Sequence, residues 1–161
     1  MLRKKLAVLV VGALMALLLL AFAATASAAP PEPVDSTPFP VEDICPFPME
    51  AQLSGKSRVK ELPGGRILST SPGLRVTLTN VEEPTNQVSY VITGSFLETQ
   101  RPDGNLFVVA RGRNVVFGPE VGMFLTTGRF TFIAFDADGT PLALTRPTGN
   151  GRIVDVCAIL A

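Results

Sequence analysis

The chain has 161 residues, 14 Lys and Arg against 14 Asp and Glu, two cysteines, and neither histidine nor tryptophan. Without histidine the usual general base, the Ser-His-Asp and Cys-His arrangements and the commonest zinc ligand are excluded. Hydrophobic residues make up 47% of the chain, enough at this length to bury a real core.

Met1 to Ala28 reads as a secretory signal peptide. Arg3, Lys4 and Lys5 precede an apolar run from Leu6 to Ala24, and Ala26-Ser27-Ala28 forms a small-residue cleavage site. A retained membrane anchor is the competing reading, because the run is nearly long enough to span a bilayer. The cleavage site favours removal, so the mature chain is expected to begin at Ala29 and to be secreted, with no membrane attachment after cleavage. Removal takes three of the 14 basic residues and none of the 14 acidic ones, leaving 11 against 14 and a formal charge of −3. A mildly acidic protein with two lysines and nine arginines scattered along its sequence is not expected to bind nucleic acid or anionic membranes, which are gripped by clustered basic side chains.

Residues 29 to 44 hold Pro30, Pro31, Pro33, Pro38 and Pro40 among small and acidic residues. That composition favours extended polyproline conformations and predicts a linker or disordered arm. From Cys45 the period becomes two. Met49, Ala51 and Leu53 alternate with polar residues, and Gly55 turns the chain into Ser57 to Leu62. Pro63-Gly64-Gly65 predicts a tight turn into the partner strand Arg66 to Thr70. After Ser71-Pro72-Gly73, the residues Leu74, Val76 and Leu78 face one way and Arg75, Thr77 and Thr79 the other, the clearest half-buried strand in the chain.

Val88 to Thr99 is predicted as one longer strand with Gly94 as a bulge or bend. Pro102-Asp103-Gly104-Asn105 makes a hairpin turn, followed by Leu106 to Phe117. Gly118-Pro119-Glu120 interrupts, and Met123 to Asp136 follows as the longest strand, kinked at Gly128. Leu106 to Asp136 is the most β-prone stretch of the chain and is expected to be the centre of the sheet. Arg111 and Arg113 are two apart on a strand and so share a face, which is expected to be solvated. In Phe130 to Phe135 both strand faces are apolar, which predicts a cover. The C-terminal helix or the N-terminal arm is the first candidate, and an oligomer interface or an apolar ligand surface the second.

Beyond Asp136-Ala137-Asp138-Gly139, Thr140 to Thr145 and the Pro147 to Gly151 turn, Ile153, Val156, Cys157 and Leu160 fall at i, i+3, i+4 and i+7. That spacing predicts a short C-terminal helix, with a last strand as the alternative. Cys45 and Cys157 are an even pair in a chain bound for an oxidising compartment and are expected to bond to each other. The domain is therefore 45 to 161, disulfide-closed and all-β. A small antiparallel β-barrel is preferred because Gly94, Gly112 and Gly128 suit strands that curve, and a β-sandwich is the alternative.

With thiols bridged and histidine absent, carboxylates are what remain for chemistry. Asp136 and Asp138 resemble half of a calcium loop but lack the further ligands, so they are weak metal candidates beside a plain Asp-Gly turn. No Gly-rich phosphate loop is present and no cofactor is expected. No catalytic or cofactor-binding residue is singled out.

CPFP after a Pro-rich lead, TLTN (77 to 80), PDGN (102 to 105), GRNVVF, GRFTF (128 to 132), DADGT (136 to 140) and the closing DVCAIL together resemble a group of small secreted actinobacterial proteins. The resemblance spans Cys45 to Ala161 and implies a β-barrel-like fold, with no catalytic residues to carry over. The leading expectation is a secreted, non-catalytic binding or structural module for an apolar small molecule held in the barrel or for an extracellular protein partner. The alternative is a histidine-free, cofactor-independent barrel enzyme of isomerase or cyclase type, which would need Glu98, Arg111 or Arg129 gathered in one cavity. A protein-directed inhibitor is a third possibility.

Overall fold

A computed structural model describes residues 29–119, 121–135 and 146–161. The predicted signal peptide, Glu120 and the segment containing Asp136 and Asp138 lie outside them. No helix among the described residues is long and apolar enough to cross a membrane.

The fold is all-β with a short C-terminal helix, and every strand pair is antiparallel. The strands are β1 (Glu32–Pro33), β2 (Phe39–Val41), β3 (Met49–Ser54), β4 (Lys56–Leu62), β5 (Arg66–Thr70), β6 (Arg75–Asn80), β7 (Gln87–Val91), β8 (Ser95–Gln100), β9 (Leu106–Gly118), β10 (Gly122–Phe135) and β11 (Thr148–Asp155), with α1 at Val156–Leu160. They form a seven-stranded sheet in the order β1-β4-β5-β8-β9-β10-β11 and a four-stranded sheet in the order β2-β3-β6-β7. The long sheet ends at β1 and β11 and is not closed into a barrel, so the described strands make two antiparallel sheets that fit an open form of the barrel preferred from the glycine pattern and the alternative sandwich alike.

Alternation builds the shorter sheet. In β3 Met49 and Ala51 are buried between exposed Glu50 and Gln52, and in β6 Val76 and Leu78 are buried with Asn80. These side chains pack with Val41, Met123, Leu125, Val156 and Leu160 into the main core. Fully burying a side chain of this size contributes about 1.5 to 3 kcal/mol. The shorter sheet and α1 therefore cover one end of the long hairpin formed by β9 and β10.

The predicted single strand from Val88 to Thr99 is two strands in two sheets. β7 ends at Val91, β8 begins at Ser95, and the chain crosses between the sheets at Ile92, Thr93 and Gly94. Gly94 donates its backbone N–H to the Arg113 carbonyl at 3.0 Å. A Cβ there would collide with the Asn114 side chain, so glycine marks a close approach between strands and not a bulge within one.

The long sheet bends where Gly112, Gly128 and Gly151 stand opposite one another on β9, β10 and β11. Gly128 has φ +139°, and a Cβ on it would meet the Asn150 carbonyl and Gly151 Cα. The bend is visible in the packing. Val116 shares a buried cluster with Val108, Ala110 and Phe132, although a straight strand would hold it about 20 Å from Ala110.

Three further expectations change. The Pro-rich segment 29–44, expected as a linker or disordered arm, is tied down: Glu32 and Pro33 pair with Ser57 and Lys56, and Phe39 to Val41 pair with Ala51 to Met49. Pairing at sheet edges tolerates proline's missing donor, and burial of Val41 fixes the arm. The C-terminal helix is shorter than its apolar period, because Ile153 belongs to β11; Val156 and Leu160 are its buried face. Neither element shares the buried cluster of Phe132. The helix packs at the Met123 and Leu125 end, and the arm joins β4 and β3. Phe130 and Phe132 are instead buried within the curve of the long sheet, with Phe132 sharing a cluster with Val108 and Ala110.

Cys45 and Cys157 form the expected disulfide, 112 residues apart in sequence with Cα atoms 5.5 Å apart. It fits an oxidising compartment. Beside it, Asp155 caps α1 by accepting from the Ala158 N–H at 3.0 Å. Asn80 donates from Nδ2 to the Leu160 carbonyl at 3.0 Å, and its Oδ1 accepts from the Glu82 N–H at 3.0 Å. One buried amide thus ties the C-terminal turn to the loop after β6.

Candidate functional site

Residues directly opposite in an antiparallel pair point to the same face, so the register sorts the long sheet into two faces. One carries Val108, Ala110, Asn114 and Val116 of β9 with Phe124, Thr126, Phe130 and Phe132 of β10, all buried. The other carries Arg111 and Arg113. At its Val115 and Leu125 end this second face lies against the four-stranded sheet. At Arg113 and Arg111 it is exposed, Val109 beyond them is buried again, and the Arg113 guanidinium stands 5.6 Å from the centre of the Tyr90 ring at the border.

On the Arg111 face a single row of opposed residues crosses six strands: Arg58, Thr70, Ser95, Arg111, Arg129 and Asn150. At roughly 4.8 Å per strand the row is about 24 Å long. Lys60 and Arg113 lie two positions along from it on the same face, as does Arg152, which stands opposite Thr127. Lys56 and Arg66 share the parity. Eight of the eleven basic residues outside the signal segment thus fall on this face. All are exposed except Arg58, which is half-buried. No carboxylate shares the face among the described strand residues of this sheet. Glu32, Glu61, Glu98 and Asp155 all stand on the opposite one.

At the β4 side the row sinks into a cleft of about 460 Å³. Arg58 and Arg111 line it together with the hydroxyl residues Thr70, Ser71, Thr93 and Ser95, and Pro31 of the docked arm forms part of its wall. The Ser71 N–H donates to the Gly94 carbonyl at 3.3 Å, holding the turn after β5 against the crossing between the sheets. A second cleft, of about 500 Å³, surrounds the disulfide and is lined by Asp43 and Asp155 among others. Asp155 is already committed there as the helix cap.

Arg111 and Arg113 share an exposed face as their spacing predicts; Arg129, named with Arg111 only for an enzyme cavity, stands beside them, and the sequence reading missed Arg58 and Arg152. A strand parity alone could not show this, because it depends on which strands are neighbours. Glu98 stands opposite Val108, on the other face from Arg111 and Arg129. Glu98 is therefore not gathered with those two arginines on one face. Asp136 and Asp138 lie outside the described residues, among which no group of three or more His, Cys, Asp or Glu could hold a metal ion. Asp35, in the arm, is held below the ordinary aspartate pKa by the Thr37 backbone N–H and then by the Thr37 hydroxyl, 2.9 and 2.8 Å from Oδ1.

Comparison with protein-family models, with curated proteins and with solved structures finds no match for the chain.

Proposed function

We propose that the protein is a secreted, non-catalytic binding module that meets its partner through the Arg111 face of the long sheet. The observation that supports this is the segregation of charge. A chain expected to be net acidic once its leader is removed places eight basic residues on one sheet face and the carboxylates of the same strands on the other. Such a face focuses a positive potential that the net charge conceals. It favours a surface partner over an apolar small molecule, because the curved interior where such a ligand would sit is occupied by Phe130, Phe132, Val108 and Ala110. Secretion and kinship with small exported actinobacterial proteins belong to the same proposal, and the disulfide supports the compartment.

Fractionation of the source organism tests it. The protein is expected outside the cell, beginning at Ala29, and held at the surface until about 0.5 M salt, where charge screening acts over only a few ångströms, releases it. Recovery only from the cytoplasm, with the leader intact, would overturn the reading.

A further inference from the structure

We propose that the row from Arg58 to Asn150 is a track for an acidic polysaccharide, its carboxylate or sulfate groups seated on the arginines. The proposal rests on the binding-module reading and names its partner.

Arg111 and Arg129 stand directly opposite each other on adjacent strands, and Arg113 is two residues along. Like charges directly opposite one another destabilise a sheet. The usual remedy, a carboxylate on the neighbouring strand, is absent from the face: the next residues along the row are Ser95 on one side and Asn150 on the other. The chain has carboxylates on these same strands and points them to the opposite face. An anion between the guanidiniums removes the repulsion, and the planar donor fork of arginine matches carboxylate and sulfate oxygens two at a time.

The positions between the charges select the class of polyanion. Thr70 and Ser95 are neutral hydrogen-bonding residues that lie between Arg58 and the Arg111–Arg129 pair, and Asn150 ends the row. They suit a ligand that carries hydroxyl groups between its charges, as a uronate or sulfated glycan does. Single-stranded nucleic acid needs aromatic platforms for its bases, and the row contains none. An anionic bilayer presents a plane, whereas the row dips into the cleft between Arg58 and Arg111, which are three strands and about 14 Å apart. That cleft, about 460 Å³ and widely open to solvent, would seat one charged sugar of the chain at the surface.

The test uses the mature full chain in binding titrations against polygalacturonate and dextran sulfate. Neutral dextran, a single-stranded oligonucleotide and phosphatidylglycerol vesicles serve as comparisons. Binding to both acidic polysaccharides is expected, falling steeply with salt, with none to neutral dextran. Arg111→Gln and Arg129→Gln are each expected to weaken it about tenfold, the loss of one charge-assisted contact, with unfolding midpoints not lowered. Arg75→Gln, on the four-stranded sheet where Arg75 donates to Ser89, is expected to leave it unchanged. Equal or tighter binding to the oligonucleotide or the vesicles would overturn the choice of polysaccharide. An unaltered affinity in the Arg111 and Arg129 variants, or an equal loss in the Arg75 variant, would overturn the row as the site. Failure to bind either polysaccharide overturns the proposal, while extracellular recovery with salt release would still stand for the binding-module reading.

Discussion

At the Val115–Leu125 pair the β9–β10 hairpin is covered on both faces, whereas at the Arg111–Arg129 pair only the Ala110 face is buried and the other is exposed and basic, with Val109 buried beyond it. The strands and their pairing are continuous across the two regions. What changes is the partner layer: the four-stranded sheet and α1 cover the first region and stop at Tyr90 beside Arg113. The line between them is the glycine row, where the sheet bends. Half of one hairpin therefore serves as core, which fixes the geometry of the half that serves as surface.

The comparison breaks most completely if the ends of the domain are released. Replacing both Cys45 and Cys157 by Ala is expected to lower unfolding free energy by roughly 4 to 5 kcal/mol on the chain-entropy account, read from urea midpoints. Gly128→Ala attacks the dividing line itself. The new Cβ meets backbone on β11 and its φ of +139° lies outside the range of an L side chain, so a loss of about 3 to 5 kcal/mol is expected. Met123→Ala should cost about 2 to 5 kcal/mol because it opens a cavity in the doubly buried region. Thr131→Ala, on the open side of the row, should stay within about 0.5 kcal/mol. Equal effects of these last two would remove the distinction between the regions. Asn80→Ala should cost about 1 to 2 kcal/mol by removing the 3.0 Å donor to the Leu160 carbonyl, which keeps only the longer 3.4 Å contact from Asn86 Nδ2.

Period-two patterning was enough to place most strands, since Met49, Ala51, Val76 and Leu78 alternate with polar neighbours that stay wet. Turn chemistry placed the hairpins at Gly64 and Asp103. The sequence could not show that Val91 and Ser95 belong to different sheets, because Gly94 reads alike as a bulge, a kink or a crossing. It could not show that the arm pairs, because proline's missing donor does not matter on the side of a strand that faces away from the ladder. The basic row was hidden for a related reason. Arg58 and Arg111 are 53 residues apart and Arg111 and Arg129 are 18 apart, and the three come together only through the order β4-β5-β8-β9-β10. Net charge, a sum over the chain, is blind to that sorting.

The smallest expected effect is the most discriminating between a surface that merely tolerates its charges and one arranged to bind. If Arg111 and Arg129 repel one another across the strands, replacing Arg129 by Gln should raise stability by a few tenths of a kcal/mol, the scale of cross-strand charge pairs. The gain should be larger at low salt and vanish as screening shortens the reach of the charges. The same substitution in Met123→Ala should give the same increment, since the two sites share no partner. A residue retained at the expense of folding stability, and needed for affinity, is one kept for its ligand. Were Arg129→Gln instead destabilising at every salt concentration, the guanidinium would have a structural partner in the folded chain, and the open half of the hairpin would be held together by the same kind of contact as the buried half.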